Sequence, residues 1–311
     1  TVSFHNAGHL LGSAEIRLEV KENGSTKSVW FSGDIGRMDL PLLPPPVLPY
    51  DVDYLLMECT YGSKDHETVE TAFERFKEIM IRTTGRRGKV IIPAFAVGRT
   101  QEIVFFLNQL ISTNVIQPIP VYVDSPLAVE ASKIFRSYPE YFDEETRQFI
   151  REERNPALDF KGLTYTSSVE QSKKLNDMDE PMVIISASGM AETGRILHHL
   201  KNNIENPRNT VLIVGWQAPD TLGRRLKEKE KQIRIFGALY DVRAEVDTID
   251  WLSADAGQDF LIKYSVAVKD RAIEIFLTHG EPEVAAVFQN KLKEQGIVNV
   301  NYPAWRDSVE L

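Results

Sequence analysis

The feature that most constrains the fold is a series of short apolar runs in the middle of the chain. They stand at Val90–Ile92, Pro120–Val123, Met182–Ser186 and Val211–Val214, with helical patterns between them. Parallel strands need a helical crossover, so this alternation indicates a mainly parallel sheet covered on both faces. Residues 64–240 are therefore predicted to form an α/β domain of their own.

The segments on either side have a different pattern. Residues 1–63 carry alternating or continuous apolar strands and a proline-dense stretch at 40–49, which cannot be regular helix or central strand. Residues 241–311 return to strand, helix, strand, helix. The layout predicts one domain in two parts, 1–63 and 241–311, interrupted by an insertion at 64–240.

Composition limits the functional class. The chain is 42% apolar and 26% charged, as is usual for a globular protein. Its net charge of −9 argues against a general polyanion binder and leaves only a local basic cleft for phosphate groups. Cys59 is the only cysteine, which excludes an intramolecular disulfide and suits a reducing cytoplasm. No apolar run approaches the roughly 18 residues of a membrane span, so we expect a cytoplasmic protein without membrane contact.

Three polar residues lie in short glycine-containing loops after apolar runs. His9 stands in AGHLLGS, Asp34 in FSGDIG and His279 in LTHGE. A single histidine after a strand is more often structural than a metal ligand. The Asp34 loop favours ligation, because three such loops converge more easily on one shared site than on three unrelated ones.

Other polar residues leave two interpretations open. Glu58 follows an apolar strand and is either a capping carboxylate or an acid–base group. Arg99, Ser188 and Gly189 lie in or beside loops after strands, where backbone N–H groups and a guanidinium suit phosphate oxygens, although each signal is weak alone. His66, in a charged stretch, is interpreted as a solvated loop residue.

Eight short segments occur in a fixed order along the chain: AGHLLGS, FSGDIG, MECTYG, PAFAVGRTQE, DSPLA, SASGM, GWQAPDTLGRRL and LTHGE. Together they resemble the β-CASP branch of the metallo-β-lactamase fold, which contains RNA-processing nucleases such as ribonuclease J. The resemblance implies an αββα sandwich, N-terminally incomplete here, with an inserted α/β cap domain. It also implies single-stranded RNA as substrate and two zinc ions per intact site.

The resemblance assigns a role to each candidate residue. His9, Asp34 and His279 resemble zinc ligands of the family, Asp34 being the one that bridges two zincs. Glu58 resembles the acidic residue of its A motif. Asp255 stands where the B motif has a histidine that contacts the scissile phosphate, and an ionised carboxylate there would repel both the phosphate and Glu58.

The sequence departs from the family in a second way. The His-x-His-x-Asp-His motif, which supplies four ligands in the family, does not occur in these residues. We therefore expect the intact protein to have an N-terminal portion that carries it, with the start at Thr1 being truncated or processed.

Two functions from different classes follow. The first is a zinc-dependent ribonuclease whose site is incomplete in this chain, with Glu58 and Asp255 as catalytic residues. The second is a catalytically degenerate RNA-binding or scaffold subunit. A small-molecule metallohydrolase fits less well, because the cap-domain motifs resemble RNA enzymes. The sequence leaves open whether RNA is cut internally or digested from its 5′ end. It also leaves open the oligomeric state, with a homodimer as one option.

Overall fold

A computed structural model describes residues 1–22, 24–153, 156–249 and 253–310. The chain divides into two compact units, unit 1 with residues 1–66 and 254–311 and unit 2 with residues 67–253. None of the described helices is long and apolar enough to cross a membrane.

Strands alternate with helices along most of the chain. The strands are β1 Val2–Asn6, β2 Ala14–Glu22, β3 Ser25–Phe31, β4 Tyr54–Glu58, β5 Val90–Pro93, β6 Val121–Val123, β7 Leu163–Tyr165, β8 Val183–Ser186, β9 Thr210–Val214, β10 Gln232–Ile235, β11 Ala238–Asp241, β12 Glu245–Ile249, β13 Glu274–Thr278 and β14 Val300–Asn301. The α-helices are α1 Val69–Gly85, α2 Arg99–Ser112, α3 Pro126–Ser137, α4 Glu144–Glu153, α5 Val169–Asp177, α6 Arg195–Asn203, α7 Leu222–Lys227, α8 Gln258–Val266 and α9 Pro282–Glu294.

Unit 1 is built on a mixed sheet in the order β1-β2-β3-β4-β13-β14. The first three strands pair antiparallel, and the pairs from β3 to β14 are parallel. One face of this sheet packs on α8 and α9, where Trp30, Leu55, Met57, Tyr264 and Phe288 are fully buried. Because β3, β4 and β13 are parallel, their carboxyl ends meet at one edge of the sheet.

The other face of this sheet carries an apolar row. In the observed register Phe4 is opposite Ile16, Ile16 is opposite Phe31, and Phe31 is opposite Leu56. Phe4 is 69% exposed, and Ile16 and Phe31 are each more than a third exposed. A row of this size on one sheet face is unusual on a free surface.

The buried face holds one unusual acid, Glu15 on β2, which is fully buried. Neither of its carboxylate oxygens has a hydrogen-bond partner among the described residues. The nearby Trp30 indole N–H donates instead to the hydroxyl oxygen of Tyr264 at 2.8 Å. Burial raises the pKa of Glu15 to about 8, so the carboxyl keeps its proton at neutral pH.

Unit 2 contains an all-parallel sheet in the order β12-β9-β5-β8-β6-β7 and a separate β10–β11 hairpin. Every residue of β5, β8 and β9 is buried, as expected of strands covered on both faces. The predicted α/β class with a parallel middle sheet is confirmed.

The division of the chain differs from the predicted boundaries at 63/64 and 240/241. The larger difference is at the second boundary, where the structure places residues 241–253 in unit 2. The reason is the strand β12, which the sequence suggested as part of the C-terminal segment. It pairs in parallel with β9 along its whole length and so belongs to the sheet of unit 2.

Candidate metal-dependent active site

Asp34 and His279 come together at the carboxyl edge of the unit 1 sheet. Asp34 follows β3 and His279 follows β13, and Asp34 Oδ1 lies 2.8 Å from His279 Nδ1. His279 has a φ of 62°, in the left-handed region that side chains rarely adopt. Both side chains are about half exposed, so the pair is open to solvent.

His9 reaches the same unit through a tight loop after β1. The Ser13 hydroxyl accepts hydrogen bonds from the backbone N–H groups of His9 at 3.2 Å and Leu10 at 3.1 Å. His9 Nδ1 lies 3.5 Å from Asp255 Oδ1 and has no hydrogen-bond partner among the described residues. Ser13 thus fixes the backbone of the loop that carries His9, and the ring nitrogen faces the carboxylate of Asp255.

Short backbone contacts join the three loops that carry His9, Asp34 and Asp255. The Gly36 N–H donates to the carbonyl oxygen of Ala7 at 2.7 Å, and the Ala256 N–H donates to Ile35 at 2.8 Å. A Cβ on Gly36 would overlap the backbone of Gly8, so glycine is required for the loops to approach this closely.

Glu58 is fully buried at the end of β4 and acts on the loop that holds Asp34. Its Oε1 accepts from the Ile35 N–H at 3.1 Å, and its Oε2 accepts from the Thr60 N–H at 2.9 Å. Burial and then the charge of Asp255 raise the pKa of Glu58 to about 8, against the opposing effect of these hydrogen bonds. Glu58 is therefore a positioning group for the loop in this arrangement, and its catalytic role stays a prediction.

From the sequence His66 was interpreted as a solvated loop residue, and this interpretation missed the contacts that its ring makes. Its ring lies against Tyr61, and its Nε2–H donates to the carbonyl oxygen of Asp255 at 3.0 Å. Burial, and then the positive charge of Arg37, lower the pKa of His66 to about 4, so the ring is neutral at pH 7. Since 189 residues separate the partners, no local signal pointed to this contact.

The donor atoms suit zinc in kind but not in number. Imidazole nitrogens and carboxylate oxygens are ordinary zinc ligands. They fall into two pairs, Asp34 with His279 and His9 with Asp255, and the described part of the chain holds no group of three donors within reach of one ion. These residues therefore do not form a metal site by themselves.

The three residues predicted to bind phosphate lie in unit 2. The guanidinium of Arg99 is buried in an ion pair with Glu102, which leaves it poorly placed for a phosphate. The Ser188 hydroxyl accepts from the backbone N–H groups of Glu192 and Thr193. Gly189 lies beside Phe95, with no room for a side chain. Their substrate contacts remain predictions.

A second polar cluster, centred on Asp124 after β6, lies inside unit 2. The fully buried carboxylate accepts from Arg195 Nη1 at 2.7 Å and from His199 Nε2 at 2.6 Å, and also from the hydroxyls of Thr166 and Ser172. Asp124 lies in DSPLA, one of the segments that carry the family resemblance, and no role was predicted for it from the sequence. With every donor directed inward, the cluster holds the unit together.

Comparison with known proteins adds two family models and several relatives. The Beta-Casp domain model matches residues 100–226, and a model described as Zn-dependent metallo-hydrolase RNA specificity domain matches residues 239–303. Ribonuclease TTHA0252 of Thermus thermophilus is 36% identical over 91% of this chain and 63% of its own length.

Two further relatives come from archaea. The transcription termination factor FttA of Thermococcus kodakarensis is 32% identical over the whole chain and 48% of its own length. An RNase J-like protein of Methanocaldococcus jannaschii is 34% identical over 89% of the chain and 63% of its own length. The chain thus spans between about half and two thirds of the curated relatives that it matches. Taken with the parallel sheet of unit 2 and the strand-end loops of unit 1, these matches show that the chain belongs to the β-CASP family of the metallo-β-lactamase fold.

Proposed function

We propose that the whole protein is a zinc-dependent ribonuclease that hydrolyses phosphodiester bonds of single-stranded RNA in the cytoplasm. The observation that carries the proposal is the contact between Asp34 and His279, which lie 245 residues apart in sequence but 2.8 Å apart in space. Relatives named as ribonucleases and the matched RNA specificity model support the substrate class.

The metal centre is part of the proposal. His9, Asp34 and His279 would contribute ligands, and the other donors would come from outside the described residues, since these hold no group of three. Two zinc ions per intact site are proposed from the resemblance. When bound, such ions supply charge stabilisation and an activated water in phosphodiester hydrolysis.

The test is a cleavage assay on 5′-labelled single-stranded RNA with the whole gene product, zinc, and a matched reaction containing chelator. Zinc-dependent shortening of the labelled RNA supports the proposal. The lengths of the labelled products also distinguish internal cutting from digestion that begins at the 5′ end. Zinc content near two per protein is expected. RNA that stays intact at all zinc concentrations would contradict a ribonuclease.

The second candidate is a catalytically degenerate RNA-binding or scaffold subunit. The observation that favours it is the carboxylate of Asp255, which lies 3.5 Å from His9 and raises the pKa of Glu58. Protein that binds single-stranded RNA but neither binds zinc nor cleaves would support this second candidate.

Replacing Asp255 by histidine separates the two candidates. In the whole gene product, Asp255→His is expected to raise RNA cleavage at least about tenfold, because a positioned acid–base group typically contributes more than that. The change removes the negative charge beside Glu58 and supplies an N–H donor. Initial rates under single-turnover conditions measure the effect, with the exposed Asp270→His as the matched control. Equal rates for Asp255→His and the unmodified protein would count against assigning Asp255 to the position of the B-motif histidine.

We further propose that a second sheet of the whole protein covers the apolar row Phe4, Ile16 and Phe31. The half-exposed row and the greater length of the relatives support this arrangement. Phe4→Glu is then expected to change the free energy of unfolding by less than about 0.5 kcal/mol in the 311-residue chain, where Phe4 is exposed, and by at least about 2 kcal/mol in the whole gene product. Denaturant unfolding of both forms measures the difference. A doubled mass in sedimentation that Phe4→Glu abolishes would instead assign the row to a homodimer.

A further inference from the structure

Two aromatic side chains stand exposed at the carboxyl edge of the unit 2 sheet. Phe95 follows β5 and Trp216 follows β9, and these strands are adjacent and parallel. Phe95 is 46% exposed and Trp216 is 48% exposed. In parallel α/β sheets this is the edge where ligands bind, because the loops after the strands converge there.

The loop after β8 contacts the loops that carry both aromatic residues. A Cβ at Gly189 would come within 2.8 Å of Phe95 Cδ2, so the ring lies directly on the glycine. The side-chain amide of Gln217 donates to the carbonyl oxygens of Gly189 at 3.2 Å and Trp216 at 3.0 Å. Thr100 fixes the other side, since its hydroxyl donates to the carbonyl oxygen of Phe95 at 2.7 Å. The two rings are therefore presented by loops that are tied to each other.

The chemistry of this edge favours stacking over phosphate pairing. Two arginines that follow the loops after β5 and β8 are engaged in ion pairs, Arg99 with Glu102 and Arg195 with Asp124. The chain as a whole is acidic, with a net charge of −9. Exposed aromatic rings bind the faces of unpaired bases whatever the base sequence, because every base has a face on which a ring can stack.

We propose that Phe95 and Trp216 form a base-stacking platform for single-stranded RNA on unit 2. This inference rests on the proposed ribonuclease function and adds to it two residues that position the substrate. Because the Phe95 ring packs on Gly189, the loop Ser188–Gly189 supports the platform.

The test uses the whole gene product and oligouridylate, with affinity and cleavage kinetics measured separately. Phe95→Ala and Trp216→Ala are each expected to raise Kd and KM at least about fivefold, since removing one stacking ring typically costs that much or more, and to leave kcat within about twofold. Phe95→Trp and Trp216→Phe keep an aromatic ring at each position, so their Kd and KM are expected to stay close to those of the unmodified protein. Tyr141→Ala is the matched control, because Tyr141 is another exposed aromatic residue of unit 2, at 59%.

A second readout depends on the ring itself. Quenching of tryptophan fluorescence by oligouridylate is expected to fall in Trp216→Phe while affinity is retained. Circular dichroism confirms that each variant is folded, and the conservative pair keeps the test valid if an alanine variant unfolds.

The outcomes separate this inference from the proposed function. Unchanged Kd and KM in both alanine variants of a protein that still cleaves RNA would overturn the platform and leave the ribonuclease intact. A fall in kcat alone would also overturn the platform. A change of oligomeric mass without a change of RNA affinity would overturn it as well, because the rings would then belong to a contact between protein chains. Protein that neither binds nor cleaves RNA would refute the proposed function itself.

Discussion

An Asp34→Ala variant of the whole gene product is expected to lose at least about 100-fold in RNA cleavage and to bind less zinc. The carboxylate is the only described partner of the His279 ring, 2.8 Å away, and both side chains are open to solvent. Even loss of an outer hydrogen-bonding partner of a metal ligand costs about 10- to 100-fold, so loss of a proposed ligand should cost at least the upper value.

Metal content and cleavage rate measured on the same sample check this expectation. Asp34→Asn keeps a hydrogen-bonding oxygen near His279 but removes the charge. It should therefore keep the contact with His279 that Asp34→Ala loses, while its cleavage rate should be little higher than that of Asp34→Ala. Asp270→Ala, on an exposed turn of unit 1, is the control that should keep both zinc and rate. Wild-type zinc content in Asp34→Ala would rule out Asp34 as a ligand.

Asp124→Ala is expected to lower the free energy of unfolding by about 3–5 kcal/mol at pH 7, the range for breaking a buried ion pair from one side. The carboxylate is fully buried and accepts four hydrogen bonds, among them those from Arg195 and His199. Its removal takes away the acceptor of the buried His199 Nε2–H and of the Ser172 hydroxyl, and one of the acceptors of Arg195. Chemical denaturation followed by circular dichroism measures the loss.

The same cluster gives the effect a pH dependence. Burial alone would raise the pKa of Asp124, but hydrogen bonds from His199, Ser172 and Thr166 outweigh it and lower the pKa from 3.8 to about 2. An acid whose pKa is lower in the fold stabilises the fold above its unfolded pKa, so the contribution is complete above about pH 5 and is lost progressively as pH falls through about 2. The difference between Asp124→Ala and the unmodified chain should therefore shrink between about pH 5 and about pH 2.

Asp179→Ala is the matched control for Asp124. Asp179 also pairs with an arginine, Arg208, at 3.0 Å, but its side chain is 84% exposed. A pair this open to water is worth less than about 1 kcal/mol. If both variants lost equally little stability, the Asp124 cluster would not hold unit 2 together.

Much of the fold could be predicted from the sequence because its signals are local. The apolar runs of β5, β8 and β9 are buried on both faces, and that composition alone indicates parallel strands between helices. The position of β12 could not be predicted in this way. Its pairing with β9 is a choice between two sheets, and nothing within Glu245–Ile249 distinguishes them.

The candidate site shows the same limit. Glycine-flanked loops after strands pointed to His9, Asp34 and His279 one at a time, since each loop is a local feature. Which residue lies next to which depends on strand order: β13 pairs with β4, and β4 pairs with β3, and this order brings His279 to Asp34. The approach of His66 to Asp255 depends in turn on contacts between segments far apart in the chain.

The buried acid Glu15 has a consequence for the proton balance of folding. Its pKa is about 8 in the fold against an ordinary value of 4.5, so at pH 7 the folded chain holds a proton there that the unfolded chain releases. Folding at neutral pH therefore draws this proton from the buffer, and the enthalpy of refolding includes the heat of ionisation of that buffer. The free energy of unfolding falls as pH rises from about 4.5 to about 8 on account of this one group. With respect to Glu15, the folded chain at pH 7 carries one negative charge fewer than its formal −9.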